Sequence, residues 1–161
     1  MQPPFRIGLG YDVHRLVKGR PCILAGIKVP SEVGPEGHSD ADVVLHAVAD
    51  ALLGAAGLPD IGQLFPNTDP ACKGMDSAKI IERAMKEVRA LGWQVGNLDL
   101  TLLAERPKIA PHVGAMRTRL AQLLAVESSQ VGVKATTQEG LDAVGEGRGI
   151  ACHAVVLLFK A

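Results

Sequence analysis

The chain has 161 residues, which suits one domain at the usual ~100–200 residues each. Hydrophobic residues make up 47% but aromatics only 3%, so the core has to be built from Val, Leu, Ile and Ala. Seventeen basic and seventeen acidic residues cancel, which argues against a nucleic-acid binder and makes self-association easier. The odd, widely spaced Cys22, Cys72 and Cys152 argue against a disulfide framework and for a reducing compartment. The N-terminus does not read as a signal peptide, and the longest apolar stretch, 43–58, is interrupted by His46 and Asp50. It is too short to span a membrane, so a single soluble, cytoplasmic domain is expected.

Residues 6–14 alternate like a strand, and a second apolar run, 22–29, follows a Lys-Gly-Arg-Pro turn. The two are expected to pair as a hairpin, with 30–37, rich in Pro and Gly, as a loop. Ser39 or Asp40 is expected to cap a helix running to about Gly57, with Asp42 in its first turn. That helix is apolar nearly all round, as a buried helix is. A loop at 60–72 leads to a second helix, capped by Asp76 or Ser77, with Ile80, Ile81, Ala84, Met85, Val88 and Leu91 on one stripe. Residues 93–104 alternate as a half-buried strand, 107–124 contain a third helix, and 131–137 and 149–160 are the last strands. The order β-β-α-α-β-α-β-β predicts a single-domain α/β (α+β) sandwich, a mixed sheet with helices on one face.

Several residues carry chemistry. Asp12 and His14, two apart on a strand, point to the same face and can reach one metal ion. His46, among aliphatic side chains, needs a partner for each ring nitrogen, and either a metal or a carboxylate at Asp42 or Asp50 answers that need. An Asp-His-His set leaves a fourth position open, as a catalytic zinc requires. His38 and Ser39 stand at the expected helix mouth, where free amides attract phosphate; a plain capping Ser beside an exposed His is the simpler account of the same residues. Lys134 to Glu139 ends a strand in donors followed by a carboxylate that suits a hard cation. His112 and His153 read as structural or exposed. The alternate glycines at 145–149 lack the helix that a dinucleotide fingerprint needs.

Taken together, G-Y-D-V-H (10–14), H-S-D-A-D-V-V-L-H (38–46), D-I-G (60–62), L-F-P-N-T-D-P (64–70), A-E-R-P-K (104–108), K-A-T-T (134–137) and G-I-A-C-H-A (149–154) resemble the 2-C-methyl-D-erythritol 2,4-cyclodiphosphate synthase family. The stretches run in family order over nearly the whole chain. The resemblance implies an enzyme of the non-mevalonate isoprenoid pathway. Its substrate is 4-diphosphocytidyl-2-C-methyl-D-erythritol 2-phosphate, whose 2-phosphate attacks its own β-phosphate and expels CMP. It implies Asp12, His14 and His46 as zinc ligands, and His38 and Thr137 as groups that stabilise the transition state. Further substrate contacts are implied at Val13, Ser39, Asp60, Ile61, Gly62, Phe65, Pro66, Asn67, Thr68 and Asp69. Ala104, Glu105, Arg106, Pro107, Lys108, Ile109 and Ala110 resemble the cytosine pocket. Thr136, Thr137, Gln138 and Glu139 resemble the diphosphate segment, with Glu139 on a second divalent ion, magnesium or manganese. The resemblance also implies a homotrimer whose active sites are shared between subunits, with neither nucleic acid nor membrane as partner.

The chain departs from the family pattern at Asn67, where Asp is common, at Ala143, where an aromatic residue is common, and at Glu146, where Arg is common. Two rival readings use the same residues: a zinc-dependent nucleotide-diphosphate hydrolase, in which the ligands activate water, and a non-catalytic trimeric ligand-binding protein.

Overall fold

A computed structural model describes residues 1–161. In chain order, a long strand β1 (Phe5–Lys18) precedes three short ones, β2 (Cys22–Leu24), β3 (Ile27–Val29) and β4 (Val33–Pro35). Helix α1 (Val43–Ala56), the single turn α2 (Ile61–Leu64) and helix α3 (Ala78–Ala90) follow. Then come β5 (Gln94–Leu103), α4 (Val113–Leu124), β6 (Val131–Thr136), the single turn α5 (Asp142–Gly145) and β7 (Gly149–Phe159). The main sheet has the order β4-β1-β7-β5-β6, parallel only between β5 and β6. The mixed sheet, single domain and helix layer match the expectation from the sequence.

The 22–29 run does not pair with β1. It folds back on itself as the β2–β3 hairpin, turning at Ala25 and Gly26 with φ of 55° and 71°. Two successive positive φ values match the twist of a two-residue hairpin turn. β1 instead pairs along residues 5–15 with β7, and its last three residues pair with β4 inside the expected loop 30–37.

Helix α1 is the centre of the core, with twelve of its fourteen residues buried. Leu45, Leu52 and Leu53 are wholly enclosed, each worth about 1.5–3 kcal/mol of burial. The helix lies unusually close to β1 because Gly8 and Gly10 present no side chain. A Cβ on Gly8 would stand 1.9 Å from the Ala51 carbonyl oxygen, and one on Gly10 would stand 1.8 Å from that of Ala47. This close approach brings His46 against the next inward residues of β1, Asp12 and His14. The outward residues of the same strand, Ile7, Leu9, Tyr11 and Val13, form an exposed apolar row on the face away from α1.

The cap of α1 differs from the expectation. Ser39 and Asp40 do not cap it; Asp42 does, accepting from the amides of Val44 and Leu45 at 3.1 and 3.0 Å. The same carboxylate accepts from Ala25 at 2.9 Å and Gly26 at 2.7 Å, which fastens the β2–β3 hairpin to the helix. The local sequence offers three capping side chains, and this tertiary contact selects among them. Burial raises the Asp42 carboxyl above the ordinary range, and the Gly26 and Leu45 amides pull against that rise.

Candidate metal centre and substrate cleft

Asp12 Oδ2 lies 2.8 Å from His14 Nε2 and 3.1 Å from His46 Nδ1, and the two ring nitrogens are 3.3 Å apart. No other group of three or more His, Cys, Asp or Glu side chains converges in this way. On its far side His14 Nδ1 is 2.8 Å from the Glu36 carbonyl oxygen. A carbonyl only accepts, so Nδ1 carries the proton and Nε2 turns a lone pair toward the Asp12 carboxylate. A lone pair and a carboxylate oxygen in contact repel unless a cation lies between them. Burial works to raise Asp12, but once these ring nitrogens take up a proton, the hydrogen bonds and charge of His14 and His46 outweigh it and hold the carboxyl below its ordinary value. Burial works to lower His14, and the Asp12 hydrogen bond and charge raise it above its ordinary value instead. The site therefore attracts positive charge, as protons or as a metal.

A tetrahedral zinc with bonds of 2.0–2.1 Å sets its ligand atoms about 3.3 Å apart. The observed separations need only a few tenths of an ångström of spreading to admit such an ion. The donor set of one carboxylate and two imidazoles fits a divalent cation with one position open. The cysteines stand apart from it: all three are free, and burial pushes the Cys22 thiol up to about 11 and Cys152 higher still.

The open side faces a cleft of about 400 Å³ lined by Asp12, His14, His38, Ser39, His46, Ile61, Gly62, Phe65 and Asn67, all expected from the sequence. Gly37, Cys72, Met75 and Ile80 also line it and were not expected. Gly37 has a steric signature: a Cβ there would stand 3.2 Å from His14 Cε1. Nothing in the sequence singles out Cys72 or Met75, and Ile80 reads as core. His38 leans over the rim, Nε2 3.4 Å from the Asp69 carbonyl oxygen. Ser39 Oγ accepts from Ala41 N at 3.1 Å and lies 3.2 Å from His46 Nε2. The expectation of free helix-mouth amides beside His38 and Ser39 is overturned, because the Asp42 carboxylate already fills that mouth. His38 and Ser39 meet the cleft through their side chains.

Other expected residues stand outside this cleft. Val13 faces the exposed side of the sheet. Asp60 and Asp69 cap their own short turns, accepting from Gln63 N at 3.1 Å and Ala71 N at 2.9 Å, with Pro66 and Thr68 on the same loop. Residues 104–110 and 136–139 form a separate cluster beyond the ends of β5 and β6. Ala104 N donates to Thr136 O at 3.0 Å, and Gln138 N to Glu105 Oε1 at 2.8 Å. Arg106 reaches the Gly147 carbonyl oxygen at 3.3 Å. Ile109 is buried, and Glu139 stands exposed at φ 54°, its amide 3.3 Å from Thr137 Oγ1. In sheet register Thr136 lies opposite Leu103, Leu103 opposite Ala151 and Ala151 opposite Val13. Three strand spacings, roughly 14 Å, thus separate the β6 end of the cluster from β1, and two, roughly 10 Å, separate its β5 end. On the helix side that interval is filled by Cys152 and Leu102, both fully buried. Glu146 and Arg148, at the departure from the family pattern, pair with each other at 2.8 Å.

A family model described as the YgbB family matches residues 5–159. The 2-C-methyl-D-erythritol 2,4-cyclodiphosphate synthase of Trichlorobacter lovleyi is 58% identical over 153 residues, 95% of this chain and 98% of that protein. Among solved structures, the Plasmodium falciparum IspF in complex with CDP superposes with a TM-score of 0.86 at 32% identity, covering 99% of both chains. The bifunctional IspDF of Campylobacter jejuni gives a TM-score of 0.94 at 38% identity; 98% of this chain corresponds to 42% of that longer one.

Proposed function

The chain belongs to the YgbB family and is a cyclodiphosphate-forming lyase of non-mevalonate isoprenoid synthesis, and from that premise we propose how its residues carry the reaction. The substrate is 4-diphosphocytidyl-2-C-methyl-D-erythritol 2-phosphate. Its 2-phosphate attacks the β-phosphorus of its own diphosphate, a new P–O bond closes the ring, and CMP leaves with the electrons of the broken bond. Attacker and target are both anionic, so positioning and charge neutralisation carry the step and no protein nucleophile is required. The single observation that carries this reading is the convergence of Asp12, His14 and His46 at the base of the cleft.

These three side chains would hold zinc, and a second divalent ion, magnesium or manganese, would sit at Glu139. When bound, such ions act as Lewis acids that neutralise phosphoryl oxygens. His38 and Ser39, at the rim, donate to non-bridging phosphate oxygens, and Thr137 donates from the other cluster. Residues 60–62 and 65–69 cover the sugar and methylerythritol parts, where the Asn67 amide both donates and accepts. Backbone groups of residues 104–110 take the cytosine edge, with 136–139 along the diphosphate.

We further propose a homotrimer with shared sites. Two observations support it. The metal centre and the cytidine cluster of one chain are divided by buried core, and β1 carries the exposed apolar row Ile7, Leu9, Tyr11 and Val13 that a second copy would cover. The free cysteines fit the cytoplasm as location, and no helix is long and apolar enough to cross a membrane.

Incubation with substrate, zinc and magnesium, followed by phosphorus NMR, tests the reaction. CMP plus a cyclic diphosphate is expected. CMP plus an open bisphosphate would instead mark a hydrolase. Sedimentation equilibrium tests the trimer.

A further inference from the structure

Ser77 stands at the N-cap of α3, where a serine hydroxyl ordinarily accepts an amide of its own helix. It makes no such bond; Asp76 Oδ1 takes the Ala78 amide at 2.8 Å in its place. The fully buried Ser77 side chain turns instead toward the metal centre, its Oγ 2.9 Å from His46 Nε2. The same hydroxyl is hydrogen-bonded to Asp40 Oδ1, and the Ser77 amide donates to Asp40 Oδ2 at 3.0 Å. Asp40 thus holds Ser77 at two points, and its Oδ1 also accepts from Asp42 N at 3.1 Å.

The proton count fixes the direction of this chain. A carboxylate only accepts, and a hydroxyl has one proton. With that proton given to Asp40, Ser77 Oγ offers His46 only lone pairs, so His46 Nε2 is the donor. Nδ1 is then bare, and Nδ1 is the nitrogen that faces Asp12 and His14. Ser39 Oγ, at 3.2 Å from the same Nε2, is the longer contact.

We propose that Ser77 and Asp40 are positioning residues for the metal. Asp40 orients the Ser77 hydroxyl, Ser77 locks His46 in the Nε2–H form, and the pair thereby sets how tightly zinc is held. This rests on the reading of Asp12, His14 and His46 as zinc ligands.

Nitrogen-15 NMR of the imidazoles in metal-stripped protein, at a pH where His46 is neutral, reads the proton position directly. Protonated Nε2 and bare Nδ1 are expected, and protonated Nδ1 would overturn the proposal even if every variant failed to fold. Competition with a chromophoric chelator gives zinc affinity. Ser77→Ala and Asp40→Asn are each expected to weaken it about tenfold or more, with His46 divided between tautomers. The double variant is expected to bind zinc no more weakly than Ser77→Ala, because Asp40 acts through Ser77. A folded Ser77→Ala protein with unchanged affinity and tautomer would overturn the proposal. Failure of the unmodified protein to bind zinc would sink the ligand reading instead, and the proton position would still test the relay on its own.

Discussion

Asp12, His14 and His46 sit on a 14-residue strand and a buried 14-residue helix, and the outward ring nitrogen of each histidine has a hydrogen-bond partner. Residues 104–110 and 137–139 sit on loops beyond β5 and β6, with Thr136 the last residue of β6, and their mutual contacts use the backbone at Ala104, Thr136 and Gln138. The first region holds side chains in fixed geometry, as a small cation demands. The second displays amides and carbonyls along two neighbouring segments, as recognition of a planar base and a flexible diphosphate demands. Under the proposed roles the contrast assigns different sensitivities: the proposed metal side depends on individual side chains, and the proposed cytidine side depends on loop shape.

The sharpest break of that contrast is His46→Ala. Turnover is expected to fall by about three orders of magnitude or more, the several kcal/mol a divalent cation contributes, together with zinc content measured by mass spectrometry. Gly10→Ala acts at a distance. The new Cβ would overlap the Ala47 carbonyl oxygen, so α1 has to move, and a loss of about 3 kcal/mol in denaturant melts is expected, with weaker zinc binding. On the other side, Glu105→Ala removes the acceptor of the Gln138 amide. It is expected to cost about 1 kcal/mol and to raise KM for the cytidylyl substrate with zinc content unchanged. Mixing that variant with His38→Ala and allowing subunit exchange is expected to restore part of the activity, since some sites then combine two intact halves; no recovery would place both halves in one chain.

The smallest effect is one of pH on the metal-free protein. Asp12 lies below its ordinary 3.8, so its contribution is present above that value and lost as pH falls through the lowered one. His14 lies above its ordinary 6.5, so its contribution is full below 6.5 and lost as pH rises through the raised value. Thermal melts are expected to show metal-free stability greatest between these two reference values and declining on either side. Zinc should remove the decline on the alkaline side, because the metal replaces the proton.

Period and punctuation in the sequence anticipated β1, α1, α3, β5, α4, β6 and β7. They failed where pairing decides. β4 is three residues long in a Pro- and Gly-rich stretch, and only its register with Leu16, Val17 and Lys18 makes it a strand. Residues 22–29 look like one strand because Gly26 alone marks the turn; Ala25 beside it adopts a positive φ that the Asp42 carboxylate helps to hold. In the site, the two-residue spacing of Asp12 and His14 was legible. His46 needed a partner that could be a metal or a carboxylate, and the resemblance favoured the metal; the physical cause of the link is the missing Cβ atoms of Gly8 and Gly10. Ser77 and Asp40 were read only as candidate caps, since contacts 31 and 37 residues apart leave no periodic trace.

The pairing of β1 with β7 also dictates the order of events during synthesis. Residues 5–15 of β1 find their principal partner in residues 149–159. While the chain is being made, the strand that carries Asp12 and His14 emerges well before β7 and waits for it, its apolar outer row uncovered. Closure across so long a separation is slow relative to local helix formation, and an unpaired apolar strand is the feature most prone to intermolecular association meanwhile. The metal centre cannot settle into its final sheet until β7 has emerged, which makes α1, a helix able to form before it and to cover the inner face of that strand, its natural first shelter.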